Sequence, residues 1–260
     1  VRSRENILLK GEKVFAGTAA GAFSAYLDLA EISVPEKPQL LKAVPEVLCV
    51  SDISYTYKRK LNSTLSGISF RPMHEIIGLV GQTAGQNQLG KLIAGLYRPS
   101  GGKIALFGKL QNPKKLQKQV LFIMQEAEFQ FFTNSVLHEL QYGQALLEIE
   151  KRTEALLKSM DMWDCRDRHP FSLSGGQMQR LTLMTAYLSD KPIVILDEPT
   201  AGQDAESLVR CTALIREIEK KDRLIITHDL ELIAGVCDRC IGLSDGQIET
   251  EFFTQTAQDL

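Results

Sequence analysis

Asp197 and Glu198 stand side by side directly after Ile193-Val194-Ile195-Leu196, an apolar run that opens after Pro192. Three of those four residues are β-branched. A short apolar run bounded by proline and by charge reads as a strand buried on both faces of a parallel sheet. Both acids then emerge at the strand's carboxyl end, where open α/β sheets bind ligands. An aspartate there suits Mg²⁺, which keeps several waters and uses few carboxylates beside phosphate oxygens. The neighbouring glutamate is placed to polarise an attacking water. Upstream, Leu173-Ser174-Gly175-Gly176-Gln177 opens a helical pattern that runs to about Ser189. Two glycines at a helix start leave backbone N–H groups open to an anion.

The elements that must position these groups can be read on either side of them. Ile76-Ile77-Gly78-Leu79-Val80 is a second buried strand, and a helical pattern through Leu92-Ile93-Ala94-Gly95-Leu96 follows it. Between them lie Gly81, Gln82, Thr83, Ala84, Gly85, Gln86, Asn87 and Gln88. Strand, Gly-rich loop and helix is the context of a phosphate-binding loop, whose pattern is G-x-x-x-x-G-K-[ST]. With the register fixed on the flanks, this loop is one residue short. Gln86 takes the lysine position, and Asn87 and Gln88 take the hydroxyl positions. The lysine would offset β- and γ-phosphate charge and the hydroxyl would ligate Mg²⁺. Hydrogen bonds to charged groups are worth about 1.5–3 kcal/mol each, so the loss costs two or more decades in affinity. Lys91 lies further along the helix, where it is expected to point away from phosphate, while Asn87 could offer the metal a carbonyl oxygen. Natural loss, a decaying gene and a compensated frameshift are three origins compatible with that loop.

Val120-Leu121-Phe122-Ile123-Met124 is a further buried strand that ends at Gln125, and Arg223-Leu224-Ile225-Ile226-Thr227 is another that ends at His228. A histidine there is in place to hydrogen-bond a γ-phosphate, whereas His74, His138 and His169 are expected at the surface. Leu48 to Val50 and Ile53 to Tyr57 alternate as half-buried strands and Leu65 to Phe70 adds another, while Lys103 to Gly108 adds a short strand. From Thr133 to Asp167 the period turns helical. Phe129, Phe131 and Phe132 are candidates for the core.

A chain of 260 residues with 44% apolar content can bury a sizeable core, and a net charge of −2 gives no reason to expect nucleic acid as a partner. No run approaches the roughly 18 apolar residues of a membrane span, so a membrane role must come through a partner. Five cysteines, spread thinly, fit reduced thiols. Cys237-Asp238-Arg239-Cys240 lacks a second pair and a nearby histidine and is expected to be packing. Ile7 to Phe15 reads as a hairpin, and Ile241 to Ile248 repeats the layout of strand, polar turn, strand. Pro35, Pro38 and Pro45 mark a linker.

Ser174-Gly175-Gly176-Gln177 followed by Asp197-Glu198-Pro199-Thr200-Ala201-Gly202-Gln203-Asp204 resembles the signature motif and Walker B strand of ABC-type ATPases. The stretches around Gln125 to Phe132 and Glu139 to Gly143 are most similar to the ATPases of energy-coupling factor importers. The resemblance implies an α/β fold, a P-loop NTPase-type mostly parallel sheet with an antiparallel β subdomain and a helical signature subdomain at about 130–175. It implies an ATP-binding domain over 46–260, with 1–45 resembling the tail of a preceding domain plus linker. ATP and Mg²⁺ are then the cofactors. Asp197 would hold the metal, Glu198 would act as general base, and Gln125 would touch metal and water and link to a transmembrane partner. His228 would contact the γ-phosphate. Tyr57, or its competitor Tyr55, would stack on adenine. Ser174, Gly175, Gly176 and Gln177 would serve the opposite site of a head-to-tail dimer, with Asp204 in the adjoining loop and Gln203 where leucine is usual. The implied partners are a second ATPase domain, a transmembrane coupling subunit and a substrate-binding membrane subunit, with this chain peripheral on the cytoplasmic face. A pseudo-ATPase that only donates its signature, or an ABC protein outside transport, are the alternatives.

Overall fold

In a computed structural model, residues 5–9, 12–17, 47–56, 64–81, 85–142, 149–218 and 222–254 are described. Strands β1 (Glu5–Leu9) and β2 (Glu12–Gly17) form the antiparallel hairpin expected near Ile7 to Phe15. The linker prolines lie outside the described residues.

Two sheets follow. Strands β3 (Leu48–Tyr55), β4 (Leu65–Phe70), β6 (Gly101–Leu106) and β7 (Lys109–Leu110) pair antiparallel in the order β4-β3-β6-β7. The larger sheet has the order β12-β11-β5-β10-β9-β8. Its members are β5 (Ile76–Gly81), β8 (Val120–Ile123), β9 (Ile193–Asp197), β10 (Asp222–Ile226), β11 (Arg239–Ser244) and β12 (Gln247–Phe253). All its pairings are parallel except β11 with β12. Every residue of β5 and β9 is buried, which is why both read as unbroken apolar runs rather than alternating ones.

The larger sheet separates two cores. On one face Ile77, Leu79, Ile195 and Leu224 pack with Val50, Ile53 and Ile104 of the smaller sheet and with Leu89, Leu92 and Ile93 of helix α1 (Gly85–Ile93). Helix α1 lies close to the strands because Gly90 has no side chain: a Cβ there would sit 2.7 Å from Ile226 Cδ1 and 2.9 Å from Phe122 Cε2. On the other face Ile76, Val80, Val194 and Leu196 pack beneath helices that are mostly strung along the chain after β8. These are α3 (Val136–Gln141), α4 (Ile149–Ser159), α5 (Gly175–Leu188) and α6 (Ala205–Glu217). Helices α2 (Pro113–Gln119) and α7 (Leu230–Val236) complete the set among the described residues. The helical period expected from Thr133 to Asp167 is thus broken: α3 and α4 flank the undescribed 143–148, and a short 3-10 turn, Trp163–Cys165, follows. Cys237 and Cys240 are buried free thiols. Burial pushes both well up, to about 12 for Cys240, so they serve packing as expected. His74, His138 and His169 are exposed.

The pole of the larger sheet opposite the carboxyl ends is pinned by one buried guanidinium. Arg239 donates through Nη2 to Glu75 and to the Arg71 carbonyl at 2.8 Å, and through Nη1 to Glu251 Oε1 at 2.6 Å. Burial raises the Glu75 carboxyl, and the Arg239 charge opposes that rise. Removing one member of a buried pair strands the other's charge. Arg239→Ala is therefore expected to lower the stability of the chain by about 3–5 kcal/mol, read from the urea midpoint. A loss near that of an exposed pair, below about 1 kcal/mol, would show that the network does not hold the sheet.

Candidate functional site

Parallel pairing brings four strand ends into line. Ile226 of β10 lies opposite Asp197 of β9 and Leu79 of β5, and Ile123 of β8 lies opposite Leu196. Gly81, Gln125, Asp197-Glu198 and Thr227-His228 therefore leave the sheet at one edge, as their positions in the sequence require.

Glu198 turns sharply out of the strand, with φ at +48°. That left-handed conformation is uncommon for a residue with a side chain and persists where surrounding bonds over-determine it. Its N–H donates to the Ile226 carbonyl at 2.8 Å, and its own carbonyl accepts from Gln179 Nε2 at 3.1 Å and from the Ala201 N–H at 3.2 Å. Its carboxylate is gripped at both oxygens. Thr227 Oγ1 donates to Oε2 at 2.8 Å, and the His228 N–H donates to Oε1 at 3.0 Å. The His228 side chain is exposed, free to meet a group arriving from solvent. Thr227, buried at the strand end, was not singled out by the sequence reading. A hydroxyl one residue before the strand-ending histidine is the signal that could have found it.

Asp197 is 4% exposed, and its Oδ1 has no hydrogen-bond partner. Burial pushes its carboxyl up to about 6, the Glu198 and Glu126 charges push the same way, and Lys91 and His228 oppose them. An unpaired buried oxygen among repelling acids fits a hard cation that takes few protein ligands and completes its shell with water and phosphate. Among the described residues no three His, Cys, Asp or Glu side chains form a metal cage.

At the end of β5, Gly81 packs so closely that a Cβ would meet the Leu243 carbonyl at 2.5 Å. Gln82, Thr83 and Ala84 lie outside the described residues, as does Tyr57. Gly85 and Gln86 open α1, and Gln86 is buried with its Nε2 donating to the Gly81 carbonyl at 2.7 Å. The side chain at the expected lysine position is thus engaged with the loop itself. Asn87 and Gln88 are half-buried in the same turn. Lys91 Nζ lies 5.9 Å from the Tyr97 ring centroid. Tyr55 stacks on Tyr97 at 5.6 Å with an interplanar angle of 9°, which gives it a packing role.

Gln125 and Glu126 are exposed just beyond β8. Their exit is fixed by Gln130, whose amide pairs with both backbone groups of Met124, accepting from its N–H at 3.1 Å and donating to its carbonyl at 3.2 Å. This clamp was also missed, because a glutamine five residues after another carries no periodic signal. Phe131 packs against the core, while Phe129 and Phe132 are 69% and 78% exposed. Of the three aromatics, Phe131 takes the core role.

Ser174 caps α5. Its Oγ accepts from the Gln177 N–H at 3.3 Å, and its own N–H donates to Gln177 Oε1 at 3.0 Å, a reciprocal capping box. Gly175 is exposed, and a Cβ there would meet nothing within 4 Å. The turn therefore faces outward rather than toward Asp197 of the same chain. Asp204 caps α6 by accepting from the Ser207 N–H at 2.8 Å, which holds its carboxyl below the usual range.

The protein-family model described as "ABC transporter" matches residues 65–201. The chain is 37% identical over 207 residues to a putative HMP/thiamine import ATP-binding protein of Bacillus subtilis, covering 76% of this chain and 38% of that protein. It is 32% identical over 204 residues to an energy-coupling factor transporter ATP-binding protein of Carboxydothermus hydrogenoformans, covering 73% of this chain and 75% of that one. The chain spans less than half the length of several curated relatives it matches. A solved structure from Clostridium perfringens, part of a cbiONQ transporter complex, superposes with a TM-score of 0.70 at 24% identity, over 80% of this chain and 89% of that one, a likeness of fold.

An acid whose folded-state pKa lies above its unfolded value binds more protons when folded, so stability falls as pH rises through the interval. For Asp197 that fall starts near the ordinary value of 3.8, runs through about 6 and is complete above it. Asp197→Asn is expected to stabilise the nucleotide-free chain by about 2–3 kcal/mol at pH 8 and by roughly half that at pH 5, measured by urea unfolding. An equal gain at both pH values would remove the buried charge as its source.

Proposed function

The chain belongs to the ABC transporter ATP-binding family, and on that premise we propose that it is the ATP-binding component of an importer of the energy-coupling factor type, with a weakened phosphate loop of its own and an intact signature. The family binds and hydrolyses ATP. The observation that carries the reading is the contrast within one edge of the sheet. Glu198 is held by Thr227 and His228, Asp197 keeps an unpaired buried oxygen, and Ser174 to Gln177 form a complete cap facing outward, while Gln86 spends its amide on the Gly81 carbonyl.

In this reading Asp197, with Gln125, holds Mg²⁺, which when bound offsets phosphate charge. The bonds from Thr227 and the His228 N–H aim the Glu198 carboxylate, which accepts the proton of an attacking water. The exposed His228 ring donates to the outermost phosphate. Ser174, Gly175, Gly176 and Gln177 meet the nucleotide of a facing ATPase domain in a head-to-tail pair. Asp204, in the adjoining loop, lies on that same interface.

A cleft beside β8 supports the reading of membrane partners. The cleft, of about 690 Å³, is lined by Phe122, Met124, Phe131, Phe132, Tyr142 and Lys191, with exposed aromatic rings at its rim. Apolar surface of that kind marks an interaction site. It would receive a transmembrane coupling subunit, placing this chain on the cytoplasmic face of the membrane, with a separate membrane subunit choosing the vitamin or metal ion. No helix among the described residues is long and apolar enough to cross a membrane.

Gln86 also favours a second reading, a pseudo-ATPase that completes only its partner's site. Mg-ATP binding, measured calorimetrically at millimolar nucleotide, separates the two from an intact site. A variant with Gln86→Lys, Asn87→Ser and Gln88→Thr and one glycine added to the loop is expected to bind at least about 100-fold more tightly than the native chain. Equal affinity would mean that the native loop cradles phosphate through its backbone alone, and the weakened-loop reading would fall.

A further inference from the structure

The loop before α6 and the first turn of α5 are tied together by a side chain that the family pattern would make leucine. Gln203 Nε2 donates to the Gly176 carbonyl at 3.1 Å, and Gln203 Oε1 accepts from Arg180 Nη1 at 3.3 Å. Arg180 is 9% exposed, and its Nη1 also donates to Ser207 Oγ at 2.7 Å. Ser207 in turn donates through Oγ to Asp204 Oδ2 at 3.1 Å. One bond path therefore runs from the signature turn through Gln203, Arg180 and Ser207 to the Asp204 cap. Leucine at position 203 could make neither amide bond, so the path would lose its link to Gly176.

We propose that Gln203 is a positioning residue that locks the 203–204 loop to the 174–177 turn, so that the chain offers both to a facing ATP site as one unit. The functional half rests on the reading of 174–177 as a contact made in trans. The geometric half rests only on the bonds above. A buried arginine with part of its hydrogen-bonding capacity spent on the amide is well suited to the task, because moving either segment alone would break bonds that water reaches poorly.

Hydrogen exchange on the full chain tests the lock. Each hydrogen bond lost is expected to raise local opening about fivefold to tenfold. Gln203→Leu should therefore speed exchange by that factor in both 174–178 and 203–207, and leave β9 unchanged. Gln203→Glu keeps an acceptor for Arg180 but offers no donor to Gly176, so it should loosen 174–178 alone. Unchanged exchange in Gln203→Leu would overturn the lock, and so would equal loosening of both segments by Gln203→Glu. In the assembled transporter complex, Gln203→Leu should lower kcat for ATP about fivefold with KM within about twofold, because nucleotide affinity resides on the facing loop. An unchanged kcat alongside faster exchange would make the tie merely structural and overturn the positioning role. Ser174→Arg, which blocks the signature turn, should abolish turnover in the same complex. If it does not, the trans reading itself fails, while the exchange result still decides the lock.

Discussion

The site depends on the register between β10 and its two parallel neighbours. Ile226 opposite Asp197 and Leu79 sets Thr227 beside Glu198 and brings the start of the phosphate loop to the same edge. A slip of one residue would turn alternate side chains to the other face, exchanging Ile225 and Ile226 between the two cores and pulling Thr227 away from the carboxylate. The burial of both faces forbids it. The same packing that makes β5, β9 and β10 a core thus fixes the edge to which their chemistry belongs, and the left-handed turn at Glu198 is affordable there because five hydrogen bonds surround it.

Electrostatics at the two poles of the sheet run in opposite senses. At the amino-terminal pole, Glu75 and Glu251 find Arg239, and the buried charge is compensated. At the carboxyl pole, Asp197 is buried beside Glu198 with one oxygen unpaired. A buried carboxylate beside a like charge is the arrangement of a functional site. A cation arriving with phosphate would relieve that repulsion.

Much of this was legible in the sequence because buried parallel strands announce themselves as apolar runs, and the residue after each run is then at the ligand edge by construction. Asp197, Glu198, Gln125 and His228 could be placed in that way, and the helix-start glycines followed from the helical pattern that opens there. Contacts that depend on two distant strands lining up could not be read. Thr227 on Glu198 and Gln130 on Met124 belong to that class. The loop at 81–88 was read as lacking its cation, but not that Gln86 would fold back on Gly81, since a buried polar side chain seeks whatever carbonyl the local turn leaves open. Tyr55 illustrates the limit from the other side: an aromatic at a strand end reads equally as a ligand platform or as packing, and the stack on Tyr97 supplies the packing.

The central claim is a division of labour, with this chain's signature turn engaged on a nucleotide held by a facing loop and its own loop weakened. Photoaffinity labelling of the complete transporter complex with an azido-ATP, followed by peptide mapping, tests it most directly. The account predicts label on the 170–180 peptide of this chain and on the facing domain, with far less on the 76–92 peptide. Label on 76–92 at a yield comparable to that of the facing loop would contradict it.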